Sequence, residues 1–91
     1  MAFSDVEIQG FHAAVSAPQP HPEDLYRLGL IYSTGQGAPL DLVEAHKWFN
    51  LAALRGWDAA KHCRKELADQ MSSAEIAAAQ RAAREWISRP N

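Results

Sequence analysis

A helix–turn–helix pattern between residues 28 and 56, LGLIYSTGQGAPLDLVEAHKWFNLAALRG, constrains the fold of this chain more than any other stretch. Gly35 stands where a first helix would end in the left-handed conformation that glycine adopts readily. Asp41 is a good N-cap for a second helix, and Glu44 follows three residues later at capping-box spacing. Gly56 ends the second helix as Gly35 ends the first. The stretch therefore predicts a helical hairpin.

Helical signals continue on both sides of the hairpin. Pro22 suits the first turn of the hairpin's first helix. A third helix is predicted over residues 58–70, and a fourth begins at a capping box formed by Ser72 and Glu75 and ends before Pro90. No stretch predicts a strand, and the abundance of alanine with few β-branched residues favours helix. The predicted fold class is all-α.

Each predicted helix carries apolar residues on one face at helical spacing. In chain order these stripes are Leu25, Leu28, Ile31 and Tyr32; Leu42, Ala45, Trp48, Phe49, Ala52 and Ala53; Ala60, Cys63, Leu67 and Met71; and Ile76, Ala79, Ala83, Trp86 and Ile87. Gly29 lies within the first stripe. A glycine in a helix is unfavourable, and the usual compensation is the close approach of a neighbour. We therefore expect Gly29 to let the two hairpin helices pack closely.

The first 20 residues give the weakest signals. Ser4 and Glu7 have capping-box spacing, but Gly10 weakens any helix by roughly 1 kcal/mol relative to alanine. A weak apolar stripe consists of Val6, Phe11 and Val15. The three prolines between residues 18 and 22 exclude helix there and favour an extended connector. We predict an N-terminal arm or a short frayed helix over residues 1–20, ending in a proline-rich linker.

The third and fourth helices repeat the hairpin in a degenerate form. When the third helix is aligned with the first and the fourth with the second, apolar positions coincide. The matched residues are Ala60 and Leu25, Cys63 and Leu28, Leu67 and Tyr32, Ile76 and Ala45, Ala79 and Trp48, and Ala83 and Ala52. We therefore predict one helical domain over residues 21–91, a short α/α solenoid of two helix pairs, 21–56 and 57–91. Terminal units of helical solenoids are often atypical, so the second pair is expected to act as a cap.

The large aromatic residues differ in how far the predicted helices can bury them. Trp48 and Trp86 fall on the inward stripes, and we expect them to be buried. Phe49 and Trp57 have less to cover them, because two helix pairs fall short of the about three units that stacked repeats usually need. Either the N-terminal arm covers these two side chains or a second copy of the chain does.

The hairpin also carries a family pattern, Leu28-Gly29-x-x-Tyr32-x-x-Gly35-x-Gly37-x-x-x-Asp41-x-x-x-Ala45-x-x-Trp48-x-x-x-Ala52-Ala53-x-x-Gly56. Over roughly residues 24–59 the chain resembles the Sel1-like repeat, a relative of the tetratricopeptide repeat. It departs from the pattern at Ala38, where valine is usual, and at Arg64, which replaces a glycine in the second unit. The resemblance implies a right-handed superhelix that serves as an adaptor surface for proteins, often in bacterial signalling or envelope processes.

Charge and composition exclude several classes of function. A net charge of −2 does not argue for nucleic-acid binding. The acids come mostly first and the bases mostly last. This order fits helices that begin with acid and end with base, a head-to-tail association of copies, or a partner of the opposite polarity. No stretch approaches the ~20 apolar residues that span a membrane, and the start of the chain lacks the positive region of a signal peptide. We expect a cytoplasmic protein that does not bind membranes.

No catalytic or metal-binding pattern stands out. His62 and Cys63 are adjacent on a helix and so point about 100° apart, which favours a buried structural thiol over a nucleophile. The histidines and the single cysteine lack HxxxH or CxxC spacing, so we predict no catalytic residues, no metal and no cofactor. The basic residues lack aromatic interleaving, which leaves a solvated face as their interpretation. A small hydrolase using Cys63 or a histidine is the weakest hypothesis.

The predicted function is a non-enzymatic adaptor that binds a protein or peptide. The alternative is a self-associating structural or regulatory subunit of a larger complex. If the resemblance holds, the first helix of each pair lines the concave face, and the candidate partner-binding residues there are Tyr26, Arg27, Leu30, Lys61, His62 and Lys65. Their mixture of apolar and cationic side chains suits an extended acidic or amphipathic segment. Ordinary solvated positions are the alternative interpretation of the same six residues.

Overall fold

Five α-helices and their connections make up the chain in the computed structural model, which describes residues 3–90. The helices are α1 (Asp5–Val15), α2 (Pro22–Thr34), α3 (Leu42–Leu54), α4 (Asp58–Ala68) and α5 (Ser73–Ser88). Residues 3–90 contain no strand, which confirms the all-α prediction. Helix α3 packs against α2, α4 and α5, while α1 packs against α2. The hairpin α2–α3 is therefore the centre of the fold.

The helix ends lie where the capping residues predict them. Gly35 has a φ of 70°, and its N–H donates to the carbonyl of Ile31. At the start of α3, the Asp41 carboxylate accepts a hydrogen bond from the N–H of Glu44 at 3.0 Å. At its end, Gly56 follows the C-cap residue Arg55 and has a φ of 90°. A full capping box opens α5 at Ser72. These local hydrogen bonds fix the bounds of the hairpin and of α5.

The N-terminal segment contains a regular helix of 11 residues. Ser4 and Glu7 form the predicted capping box, and the helix continues through Gly10. The predicted apolar stripe is wrong at Val6, whose side chain is 79% exposed, whereas Ile8 is buried. Positions 8, 11 and 15 follow the i, i+3, i+7 spacing of one helix face more closely than positions 6, 11 and 15 do.

Helices α2 and α3 pack closely at Gly29. A Cβ atom on Gly29 would lie 2.9 Å from Cγ of Phe49 and nearer still to Cδ1 and Cε1 of that ring. Phe49 is only 2% exposed because α2 covers it, with Tyr26 packing against the ring as well. Phe49 is buried within one copy of the chain, so its burial does not require a second copy. Trp57 remains half-buried beside Tyr26.

The N-terminal helix packs against α3 at Trp48, in the middle of that helix. The His12 ring packs edge-on against Trp48, which in turn meets Trp86 of α5 at a centroid distance of 5.9 Å. The Arg89 guanidinium lies 3.5 Å from the centre of the Trp86 ring and donates to the carbonyl of Val15. Trp48 is buried as predicted, and Trp86 is half-buried. Edge-to-face aromatic contacts, together with Arg89, thus join α1 and the end of α5 across α3.

Candidate functional site

The structure places three of the six predicted partner-binding residues in two separate grooves. The first, called here the α2–α4 groove, has a volume of about 200 Å³ and is lined by Leu30, Ser33, Phe49, Cys63, Glu66, Leu67 and Gln70. The second, called here the α3–α4–α5 groove, has a volume of about 650 Å³ and is lined by His46, Asn50, Lys61, Arg64, Lys65, Ala68, Ile76 and Gln80. Leu30 belongs to the first groove, whereas Lys61 and Lys65 belong to the second. Helix α4 contributes one face to each.

The α2–α4 groove has an apolar floor and a polar rim. Phe49 and Leu67 are buried beneath it, and Leu30 on α2 is half-buried at its side. Glu66 and Gln70 of α4 are exposed at the rim. A concave surface with this distribution can hold an apolar side chain in its floor and hydrogen-bond the flanking polar groups at its rim.

Tyr26 lies beside Cys63, one of the residues that line the α2–α4 groove. Its ring packs against Phe49 and Trp57 at centroid distances of 5.8 and 5.9 Å, and its hydroxyl lies 4.0 Å from the Cys63 sulfur. Burial raises the pKa of the Tyr26 hydroxyl, and the adjacent Cys63 raises it further. Tyr26 is therefore a packing residue and not an ordinary solvated position. Its ring is part of what holds α2, α3 and the start of α4 together.

Cys63 is only half-buried, which corrects the expectation of a buried thiol. Helix α4 buries Ala60 and Leu67, and Cys63 lies beside that contact, where α4 faces Tyr26 of α2. The sulfur therefore lines the α2–α4 groove rather than the core. The sequence could not distinguish these positions, because Cys63 shares the apolar spacing of its two buried neighbours.

The other predicted partner-binding residues lie outside both groove linings and pair with acids on their own helices. Arg27 is half-buried and donates to Glu23 one turn earlier at 3.1 Å. His62 is exposed and contacts Glu66 one turn later. Ion pairs this exposed contribute about 0–1 kcal/mol to stability, so both side chains remain available to a partner.

The α3–α4–α5 groove is lined by cations and amides. Arg64 donates from Nη1 to the Asn50 Oδ1 atom at 2.7 Å, which fixes the guanidinium against α3. Lys61 and Lys65 are exposed one turn apart on α4, and Lys61 is 3.5 Å from Asp58. None of the described residues that line this groove is acidic. The groove therefore carries an excess of positive charge in a protein of net charge −2.

His46 is a functional candidate that sequence reasoning missed. It lines the α3–α4–α5 groove, is only 3% exposed, and its Nδ1 atom has no hydrogen-bond partner within residues 3–90. Burial lowers the pKa of the imidazole, and the Arg64 guanidinium lowers it further. The available signal was its spacing, because His46 and Asn50 stand one turn apart and so share a face of α3.

A second histidine, His12, lies between α1 and the hairpin. Its Nε2 atom is 2.9 Å from the Tyr32 hydroxyl, while the neighbouring Trp48 indole donates to the Glu44 carboxylate at 3.0 Å. Burial lowers the pKa of His12, and this outweighs the opposing effect of Glu44. Burial also raises the pKa of Tyr32, as do the charges of Glu44 and Asp41. This polar cluster joins α1 to the hairpin, and none of its residues lines either of the two grooves.

Neither groove contains an arrangement that holds a metal. Within residues 3–90, no group of three or more histidine, cysteine, aspartate or glutamate side chains is placed to bind one. In the same part of the chain, no helix combines the length and the apolar character that crossing a membrane requires.

No protein-family model matches the chain, and neither does any curated protein or solved structure. The resemblance to the Sel1-like repeat therefore stays a prediction that rests on the motif residues. Their positions in the structure account for their types: Gly29 meets the Phe49 ring, Gly35 and Gly56 have positive φ, and Ala45 and Ala52 are buried. These are packing and turn roles, which many helical hairpins require.

Proposed function

We propose that this protein is a non-enzymatic binding module that holds a peptide segment of a partner protein in the α2–α4 groove. The observation that supports the proposal is the groove itself, an apolar floor under a polar rim on the face shared by α2 and α4. In the proposed architecture α2–α3 and α4–α5 are the two units of a short Sel1-like solenoid, the second unit acting as its cap. We further propose that the module works in a bacterial cytoplasm.

The groove favours an amphipathic segment as its occupant. Leu30 and Leu67 provide apolar contact for one side chain of the peptide, and the volume of about 200 Å³ leaves room for little more than that. Ser33 and Gln70 provide hydrogen bonds to the peptide backbone. Glu66 at the rim disfavours a purely acidic segment here, since two like charges repel. One apolar anchor flanked by polar or basic residues suits this surface best.

A peptide-display selection tests this function directly. We expect the protein to enrich short peptides with a single large apolar residue, and calorimetry to give a Kd in the range of about 1 µM to 1 mM. Leu30→Gln should weaken binding about tenfold or more, while Leu54→Gln, a change of an exposed leucine outside the groove, should leave it unchanged. Circular dichroism would show that both variants fold. An absence of enriched peptides, or equal binding by the two variants, would contradict the proposal.

The alternative proposal is that the chain binds copies of itself. Among residues 3–90, four large apolar side chains are exposed, on α1, the loop before α3, the end of α3 and α5: Val6, Leu40, Leu54 and Ile87. Apolar surface of this kind is often covered in an assembly. Sedimentation velocity separates the two proposals, because a self-associating subunit would form a defined oligomer whose population rises with concentration and falls in a Leu54→Gln variant. A monomer at all concentrations would exclude this alternative.

A further inference from the structure

The α3–α4–α5 groove concentrates positive charge in a concave site. Lys61, Arg64 and Lys65 bring three cationic side chains to its wall, and no described residue in the lining is acidic. The nearest acid recorded beside them is Asp58, 3.5 Å from Lys61 and almost fully exposed. Lysines scattered over a surface interact mainly with water and form no common binding site. Cations gathered around one depression raise the local concentration of anions.

A hydrogen bond to α3 orients the Arg64 guanidinium at the groove. Its Nη1 atom donates to Asn50 on α3 at 2.7 Å, which sets the plane of the guanidinium while leaving most of its five N–H donors unused by that bond. A guanidinium whose orientation is already fixed loses less side-chain entropy when it binds a phosphate or carboxylate in the bidentate mode. Arg64 therefore has the character of a preorganised anion anchor.

His46 provides an independent sign that this depression is more than a charged surface. The side chain is buried at the groove, and its Nδ1 atom has no partner in the part of the chain that the structure describes. Buried polar atoms are nearly always hydrogen-bonded, and an exception calls for a specific explanation such as an interaction with a ligand.

The remaining lining residues define the size and class of the ligand. The volume of about 650 Å³ is in the range of sites for small organic molecules and far exceeds what a single inorganic ion fills. Ala68 and Ile76 give the groove an apolar side, and the Gln80 amide can donate or accept a hydrogen bond. Such a site suits a molecule that carries an anionic group at one end and a less polar body at the other.

We infer that the α3–α4–α5 groove is a second binding site, in which Arg64, Lys61 and Lys65 hold the phosphate or carboxylate group of a small organic anion against His46. The body of that molecule lies along Ala68 and Ile76. The site is separate from the α2–α4 groove and does not depend on the proposed peptide-binding function. It gives the protein a small-molecule ligand of its own.

Heteronuclear NMR of the full chain tests this inference with three anions. Inorganic phosphate, phenyl phosphate and benzoate are titrated at constant ionic strength, with chloride as the balancing ion. We expect saturable shifts confined to the groove, including the His46 imidazole and the Asn50 and Gln80 side-chain amides. Phenyl phosphate should bind more tightly than inorganic phosphate, with a Kd of about 1 mM or below. The ratio of phenyl phosphate to benzoate affinity identifies the preferred anionic group.

Variants separate a specific site from general charge attraction. Arg64→Gln should weaken phenyl phosphate binding about tenfold, and Arg55→Gln, which removes an exposed cation that does not line the groove, should change it less than twofold. A Lys61→Gln/Lys65→Gln variant changes only exposed residues, so it provides the test even if Arg64→Gln fails to fold. Shifts spread over all surface cations, shifts that do not saturate, or equal losses in Arg55→Gln and the groove variants would each overturn the inference.

Discussion

Replacing Gly29 with alanine sets two effects of known direction against each other. In a solvated helix the change stabilises by roughly 1 kcal/mol, because glycine has the lower helix propensity. Here the new methyl group would overlap the Phe49 ring, with Cγ at 2.9 Å and two further ring atoms nearer. Overpacking of this kind costs about 1–3 kcal/mol, and the ring has little freedom to move because it is only 2% exposed and Tyr26 packs against it. A severe overlap with a confined ring places the cost in the upper part of that range, about 2–3 kcal/mol. Subtracting the gain in helix propensity of roughly 1 kcal/mol, we expect Gly29→Ala to lower the free energy of unfolding by about 1–2 kcal/mol.

The chain contains a matched control for this prediction. Gly10 also lies within a helix, but a Cβ atom there would meet no described atom within 4 Å, so Gly10→Ala should stabilise by about 0.5–1 kcal/mol. Urea denaturation followed by tryptophan fluorescence and by circular dichroism measures both variants. Phe49→Leu should recover part of the loss when combined with Gly29→Ala, because it removes the ring that the methyl group meets. A Gly29→Ala protein as stable as the parent would refute the close-packing argument.

Other predictions rest on separate contacts. Trp48→Ala should cost about 3–5 kcal/mol, enough to unfold much of the protein in water, as circular dichroism would show. Gly37→Ala should destabilise by about 1 kcal/mol or more in the same assay, since its φ is 97° and a Cβ atom would collide with the Phe3 carbonyl. Burial lowers the native pKa values of His12 and His46 below 6.5. The free energy of unfolding should therefore be highest above pH 6.5 and decline as the pH falls from 6.5 toward the native pKa values. Denaturation at about pH 7.5 and at about pH 5.5 would measure this decline. His46→Asn should make that decline shallower.

Local signals explain why the helix bounds could be predicted. The caps at Gly35, Asp41 and Ser72 depend on residues within four positions of each other, and their hydrogen bonds form as the spacing implies. Glu44 is an instructive exception. Its N–H binds Asp41 as predicted, but its carboxylate turns to the Trp48 indole instead of returning to the cap. That choice depends on the position of a side chain one turn away.

The burial around α3 could not be predicted, because it depends on how many helices surround it. A single amphipathic stripe describes a helix that packs on one side. Helix α3 contacts α2, α4 and α5, so Leu51 and His46, which lie off the predicted stripe, are buried as well. For the same reason Phe49 is covered within one copy of the chain. Only the three-dimensional arrangement shows that α3 has almost no solvated face.

The division of the predicted binding face follows from the geometry of α4. Lys61 and Lys65 are one turn apart and share a side of the helix, while Cys63 and Leu67, also one turn apart, share another. The prediction placed the lysines on one concave surface with Leu30, because it assumed that α4 has one buried stripe and one exposed face. In the structure α4 borders a groove on each side of its buried stripe, toward α2 on one and toward α3 and α5 on the other.

This separation makes the two proposed binding activities independently testable in one molecule. Leu30 and Arg64 line different grooves, and neither contributes to the lining of the other. If both proposals hold, Leu30→Gln weakens peptide binding and spares the anion, and Arg64→Gln does the reverse. The sites are also close enough to communicate, since α4 forms a wall of each and a ligand that stiffens α4 acts on both. A change in peptide affinity on adding phenyl phosphate would measure that coupling, and its absence would show two sites that merely share a helix.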